Sequence, residues 1–406
     1  MVYVLSKCGK PLMPTERHGK VRRLLKDGEA KVVKRTPFTI QLLYESTMFT
    51  QPVTLGIDAG SKTVGLSATM EAKELFASEC MLRTDVVENL SERRENRHAR
   101  RGRKTRYRKA RFNNRIKSKH KGWLAPSCRQ KINTHMQLIK QVHEILPITK
   151  IVVEVAQFDI QKIKNPNIQG EEYQQGEQMN FWNVREYVLF RDGHRCRGKK
   201  GCTNEILNVH HIETRKTGGD APNNLVTLCK DCHEAHHEER LKLKLKRGQT
   251  FRDAAFMGVM RWSLYAELKE AYADVSLIYG YETKNRRIKN NLEKSHAADA
   301  RCITGNPNAK PIGKVYKQKA VRTRNRQIHK RKILKGGKRK LNQTPKYVCG
   351  YQLFDKVKYK GWELFIWGRR QTGYFLLKSL DGEIKVDGVS VKKIRLLERR
   401  KTILIA

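Results

Sequence analysis

Arg185 to His237 reads REYVLFRDGHRCRGKKGCTNEILNVHHIETRKTGGDAPNNLVTLCKDCHEAHH. Four cysteines, a His-His pair, an Asn and a second histidine cluster fall within it, separated by glycines and polar turns. Cys196 and Cys202 have five residues between them and Cys229 and Cys232 have two, so two thiolate hooks flank a loop of ordinary zinc-finger size. Tetrahedral Zn²⁺ takes four such soft ligands, and a closed Cys₄ shell leaves no position for water, so a zinc held here is structural. The first hook, spanning Arg197 to Gly201, is wider than the usual C-x-x-C.

Between the hooks, Ile206, Leu207 and Val209 form a short apolar run ending in His210 and His211, which predicts a strand that brings both imidazoles to one edge. Asn224 precedes Leu225-Val226-Thr227-Leu228, and His233 follows the last thiol at the start of an expected helix. This order of HH, N and C-x-x-C-H resembles the HNH, or ββα-metal, endonucleases. The resemblance implies that His211 is the general base and that His210 and His233 hold one Mg²⁺ against the scissile phosphate, with Asn224 positioning or joining the shell. Many such enzymes carry Asp where His210 stands. His237, four residues after His233 and on the same helical face, is an alternative ligand.

Outward from this stretch, 406 residues suit two to four domains. Lys and Arg number 85 against 40 acids, a formal net charge of +45, far beyond what solubility requires. Such an excess points to a polyanionic partner, nucleic acid first among them. No apolar run approaches eighteen residues and no signal peptide is visible, so the expectation is an intracellular protein with no membrane association. Cys8, Cys80, Cys128, Cys302 and Cys349 are scattered and fit reduced thiols in such a compartment.

Residues 1 to 50 predict a small αβ unit: a strand at Val2 to Leu5, a basic helix near Glu16 to Leu25, and strands around Ala30 to Val33 and Phe38 to Tyr44. Pro11-Leu12-Met13-Pro14 lies inside it. Val53 to Gly60, VTLGIDAG, is an apolar strand with one carboxylate, Asp58, before a glycine turn and a returning strand. A G-I-D-x-G string suits RNase H-like nucleases, and equally sugar kinases and actin-like ATPases. Lys150 to Val155 is a second apolar strand with a lone acid, Glu154, which burial would penalise without a partner or metal. Ser295 to Cys302 is a small-residue helix carrying Asp299, with His296 three positions earlier on the same face.

Residues 93 to 121 hold fifteen Lys or Arg and one acid, Glu95. Charge on every face of such a helix repels itself unless phosphates surround it. Apolar residues at Ile132, Met136, Ile139, Val142 and Ile145 predict a packing helix stopped by Pro147. Residues 159 to 180 read as a Gln-rich linker, a helix is expected around Ala254 to Tyr272, and Val275 to Tyr281 as a further strand. From Arg301 to Phe354 there are sixteen Lys or Arg and no acid, which predicts a basic segment with little fold of its own. Beyond it, strand-like runs at 355–359, 362–367, 373–377 and 391–397 predict a small β-rich module. There Arg369, Arg370 and Gln371 have the chemistry to read major-groove edges.

Taken in order, PLMP, the Asp58 segment, the basic helix, Glu154, the HH-N-CxxCH insert, Asp299 and the basic C-terminal module resemble the IscB family, transposon-encoded RNA-guided nucleases related to type II CRISPR effectors. The resemblance implies an α/β multidomain chain: a discontinuous RNase H-like RuvC domain with an inserted ββα-metal HNH domain, an arginine-rich bridge helix, an N-terminal PLMP domain and a C-terminal β-rich module. The implied boundaries are 1–50 for PLMP, 51–90, 123–165 and 245–304 for RuvC, 91–122 for the bridge, 176–240 for HNH with its zinc, 305–350 for a basic RNA-binding segment and 351–406 for a module that reads a motif beside the target. Asp58, Glu154 and Asp299 would bind two Mg²⁺, with His296 assisting the nucleophile. Arg93, Arg94, Arg97, Arg100, Arg101, Arg103, Arg106, Arg108 and Arg111 would line the bridge. The implied partners are a guide ωRNA and double-stranded target DNA, bound by one protein copy in a cytoplasmic ribonucleoprotein acting at the nucleoid. HNH would cut the guide-paired strand and RuvC the displaced one. The competing expectation is a guide-independent nuclease or a transposon accessory DNA-binding protein. A pure binding module is disfavoured by two complete catalytic sets.

Overall fold

The structure, a computed structural model, describes residues 1–101, 124–155, 183–199, 201–215, 219–248, 252–323 and 345–406. It is mixed α/β and divides into two compact units, residues 157–256 and the remainder. No described helix is long and apolar enough to cross a membrane.

The larger unit opens with strands β1 (Tyr3–Leu5), β2 (Ala30–Lys34) and β3 (Thr39–Leu42), paired in the order β1-β3-β2, and with helix His18–Lys26. Leu12 of the PLMP string is buried with Val2, Val4, Val21 and Ile40, and its amide donates to the Val4 carbonyl at 2.9 Å. The string is therefore a stitch that closes the first strand of this small core. Tyr3, fully buried, donates its hydroxyl to the Leu75 carbonyl at 2.9 Å and so ties the subdomain to the main sheet.

That sheet has seven strands. β4 (Thr54–Ala59), β5 (Thr63–Thr69) and β6 (Glu74–Met81) form an antiparallel meander, almost wholly buried because apolar or small side chains occupy both faces. β7 (Lys150–Val155) lies parallel to β4, and β10 (Val275–Tyr279) parallel to β7. At the far edge come β11 (Tyr316–Ala320), parallel to β6, and β17 (Ile403–Ile405), antiparallel to β11, completing the order β10-β7-β4-β5-β6-β11-β17. Helix His296–Ile303 lies directly on β4 and β5 because glycines remove the obstacle. A Cβ on Gly56 would sit 2.1 Å from the Ala300 carbonyl oxygen, and one on Gly65 would sit 2.0 Å from that of His296.

Several expectations need correction. Tyr316–Ala320 falls in the segment expected to lack fold, yet it is a strand of the main sheet. The last strand, Ile403–Ile405, also joins that sheet rather than the C-terminal module. The module itself is a five-stranded antiparallel sheet of β12 (Lys356–Tyr359), β13 (Trp362–Arg369), β14 (Tyr374–Lys378), β15 (Lys385–Ser390) and β16 (Arg395–Glu398), in the order β15-β14-β13-β12-β16. Lys385–Ser390 lies outside the expected strand runs, since Asp387 and Gly388 interrupt its sequence pattern. The strand expected over Val275 to Tyr281 stops at Tyr279, and Gly280 and Tyr281 begin the next helix, Gly280–Lys289.

In the smaller unit, β8 (Leu207–His211) pairs antiparallel with β9 (Leu225–Cys229), and helix Lys230–His237 follows at once. Helix Val184–Arg191 is capped by the Asn183 side chain, which accepts from the Glu186 amide at 3.0 Å.

Candidate active sites

The carboxylates come together through the sheet. Ile57 of β4 is in register with Val153 of β7, so the next residues, Asp58 and Glu154, lie on neighbouring parallel strands. The helix seated on Gly56 and Gly65 supplies His296, whose Nδ1 lies 2.7 Å from Asp58 Oδ2, and Asp299 one turn on. Burial and the neighbouring Asp58 carboxylate push both Glu154 and Asp299 above the usual carboxylate range, against the pull of Arg261 and Arg287 respectively. The hydrogen bond to Asp58 raises His296.

Sequence reading missed the two guanidinium groups. Arg261 Nη2 lies 3.2 Å from Glu154 Oε1, and Arg287 Nε lies 2.8 Å from Asp299 Oδ1. Both contacts are ion pairs rather than aligned hydrogen bonds, and Asp299 Oδ1 is a buried acceptor with no donor. Crowded carboxylates plus an orphaned acceptor suit a divalent cation. The three acids are nevertheless not among the groups of described residues whose ligand atoms all fall within 4.8 Å.

Two such groups exist among the described residues, and both are in the smaller unit. Cys196, Cys202, Cys229 and Cys232 form one. Their surroundings fit a tetrahedral thiolate site: the Gly198 amide donates to Cys196 Sγ at 3.3 Å and the Cys232 amide to Cys229 Sγ at 3.4 Å. A Cβ on Gly198 would lie 3.0 Å from that of Cys232, so the tight turn of the wider hook calls for glycine. The spacing that departs from C-x-x-C thus still closes.

His210, His233 and His237 form the other group. The β8 strand delivers His210, and the helix opened by Cys229 presents His233 and His237 one turn apart, with their Nε2 atoms 3.3 Å from each other. Burial, then the neighbouring His233, His236 and His237, pushes His210 down to about 4, so the ring is neutral and its lone pair free for a metal at neutral pH. Both proposed helix ligands therefore reach the cluster. His236 also stacks edge-on near His210 but is turned to the Leu241 carbonyl at 3.1 Å.

His211 lies outside this cluster. Its Nε2 is 2.9 Å from Asp220 Oδ1, and Arg215 grips the other oxygen of Asp220 at 2.7 Å and 3.0 Å. Asp220 and Arg215 went unread because nothing in a polar turn marks an acid as the partner of a distant imidazole. Asn224 is fully buried and spends its amide on backbone: Nδ2 donates to the Glu213 and Gly219 carbonyls and Oδ1 accepts from the Glu213 amide, each at 2.9 Å. Of the two roles expected of Asn224, positioning or joining the metal shell, this geometry accords with positioning: it fastens the loop that carries Asp220.

In helix Val86–Arg101, Arg93, Arg94 and Arg97 are exposed. Arg100 and Arg101 belong to that helix, while Arg103, Arg106, Arg108 and Arg111, like the linker at 159–180, lie outside the described residues. In the C-terminal module Arg370 is paired with Asp387 at 2.9 Å and Arg369 donates to the Lys346 carbonyl, leaving Gln371 exposed.

Residues 2–176 match the family model of the RRXRR proteins, and residues 194–239 match that of the HNH endonucleases. No curated protein matches the chain. Among solved structures it is similar to Streptococcus thermophilus Cas9 in complex with the AGAA PAM, at 14% identity and a TM-score of 0.31, over 45% of this chain and 26% of that one. It is also similar to the type II-C Cas9 enzyme from Actinomyces naeslundii, at 10% identity and a TM-score of 0.26, over 63% and 60% of the two chains. The chain thus spans less than two thirds of either.

Proposed function

We propose, from the premise that this chain is an IscB-like RuvC/HNH protein, that it is an RNA-guided DNA endonuclease with two separate cutting centres. The observation that carries the reading is the convergence of His210, His233 and His237 within the segment that matches the HNH endonucleases. A divalent cation held there would stabilise charge on the phosphate and the leaving oxygen.

The protein's own part is proton transfer and orientation. His211 donates from Nε2 to Asp220, which fixes the tautomer and leaves the Nδ1 lone pair to take a proton from the attacking water. Arg215 keeps Asp220 charged and in place, and Asn224 keeps the loop beneath it from sliding. In the larger unit the strand order, with Asp58 on the first strand of an antiparallel meander and Glu154 on the parallel strand beside it, supports a RuvC-type centre completed by Asp299 and His296. Two Mg²⁺ ions are assigned to that centre, one Mg²⁺ to the imidazoles and one structural Zn²⁺ to the thiols. The excess of 45 positive charges, with Arg93, Arg94 and Arg97 turned to solvent, supports a structured guide RNA as the neutralising partner and duplex DNA as the substrate. HNH is assigned the guide-paired strand, RuvC the displaced one, and base pairing the sequence specificity.

The test is strand-resolved cleavage by full-length protein purified with the RNA of its locus. His211→Ala should slow cutting of the guide-paired strand by about 10² to 10⁴-fold and spare the other, and Asp58→Ala should do the reverse. A single substitution that stops both cuts in folded protein overturns the two-centre assignment. Full activity after every ribonucleotide has been removed favours the guide-independent nuclease instead.

A further inference from the structure

Arg261 sits where a solvent-facing arginine has no reason to be. It is 8% exposed, and its side chain ends between the two strands that carry the first two acids. Nε donates to the Ala59 carbonyl at 2.9 Å, immediately after Asp58, while Nη2 reaches Glu154 Oε1 at 3.2 Å. Gly280 also lies against Glu154, since a Cβ there would be 3.3 Å from the same Oε1. The carboxylate thus has both a guanidinium and a close-packed glycine beside it. Arg287 offers a contrast: it too makes only an ion pair with its acid, but it lacks the backbone anchor that Arg261 has at Ala59.

We infer that Arg261 is a positioning residue of the carboxylate centre: a planar, two-pronged bracket that fixes Glu154 against the end of β4, setting the separation of the acids before any cation arrives. The inference rests on the RuvC-type reading and extends it to a residue outside the acid set. A guanidinium suits the task because one rigid fork meets a carbonyl and a carboxylate together, whereas an ammonium is a single point. Removing it leaves a half-buried carboxylate without its cationic neighbour, which then prefers to stay protonated or to turn away. Outer partners of metal ligands typically govern affinity by about 10 to 100-fold.

The experiment is a Mn²⁺ titration of the full chain followed by electron paramagnetic resonance, in a His233→Ala/His237→Ala background that silences the imidazole cluster. Arg261→Met should raise the half-saturating Mn²⁺ concentration about tenfold or more, with Arg261→Lys between it and the parent. An unchanged or lowered half-saturation in either folded variant overturns the inference, even if the melting temperature drops, since a merely structural arginine would act on melting alone. Should Arg261→Met fail to fold, Arg261→Lys decides. Asp58→Ala in the same background separates the two levels: if it removes no Mn²⁺, no cation binds the acids, and the RuvC-type reading falls together with the bracket.

Discussion

The two candidate centres are built by opposite strategies. The smaller unit gathers its ligands from fewer than fifty consecutive residues, the four thiols lying within 4.8 Å of one another and the three imidazoles likewise. The larger unit draws its acids from positions 58, 154 and 299 on two strands and a helix, and gives each a positively charged or protonatable neighbour: His296, Arg261 and Arg287. Two strands and two eight-residue helices bury little apolar surface, so on the proposed zinc assignment metal supplies much of the smaller unit's stability. A seven-stranded sheet needs no metal to fold, and its packing does the positioning.

Removing one thiol should therefore separate the units most sharply. Cys229→Ser should abolish zinc retention and unfold residues 183–248, a loss on the order of 10 kcal/mol of metal-coupled folding. The larger unit should keep its melting transition. Zinc content by mass spectrometry and amide hydrogen exchange resolved by peptide check both halves. Native-like protection of residues 207–237 without zinc would mean that the thiols are ordinary core residues.

The same contrast explains what the sequence could disclose. Cys196, Cys202, Cys229, Cys232 and the His210-His211 pair were legible because chemistry and spacing are local there. Asp58 and Glu154 were legible as lone acids in apolar strands, a pattern that burial makes costly. Their guanidinium partners were not, because Arg261 and Arg287 are two among 85 cationic residues and only the tertiary fold selects them. Asp220 was hidden in a turn for the same reason. Asn224 was visible as a polar residue before a strand, but whether it faces a metal or the backbone depends on where the fold places Glu213 and Gly219. Tyr316–Ala320 escaped because its alternating lysines look like solvated coil although the strand is paired on both sides, and Ile403–Ile405 because its partner lies more than eighty residues earlier.

Within the larger unit the glycines offer the next test. Gly65→Ala would place a Cβ 2.0 Å from the His296 carbonyl oxygen, and the obstacle is backbone, so helix His296–Ile303 must lift. The cost should be about 3 kcal/mol, read from urea denaturation. Displacement of the helix carries His296 away from Asp58, so cutting assigned to the carboxylates should fail while cutting assigned to the imidazoles continues. Equal loss of both cuts would show that the two centres are not independent.

The smallest effect is one of sign. His210 has its pKa pushed down to about 4 by burial and neighbouring imidazoles, whereas the hydrogen bond to Asp58 raises that of His296. Between the unfolded value near 6.5 and 4, an unfolded chain takes up a proton that folded His210 refuses, so His210 withdraws stability from the smaller unit as pH falls through that window. His296 acts the other way: its stabilisation of the larger unit is complete below the unfolded value and is lost as pH rises through the higher folded one. Imidazole C2 hydrogen exchange, read by mass spectrometry on the metal-free chain, titrates each ring separately. His210 should titrate below 6.5 and His296 above it, and Asp58→Asn should lower the His296 value while leaving His210 unmoved. A His210 that titrates at or above 6.5 would mean that its ring is not packed among the others, and the case for a ready-made imidazole site would go with it.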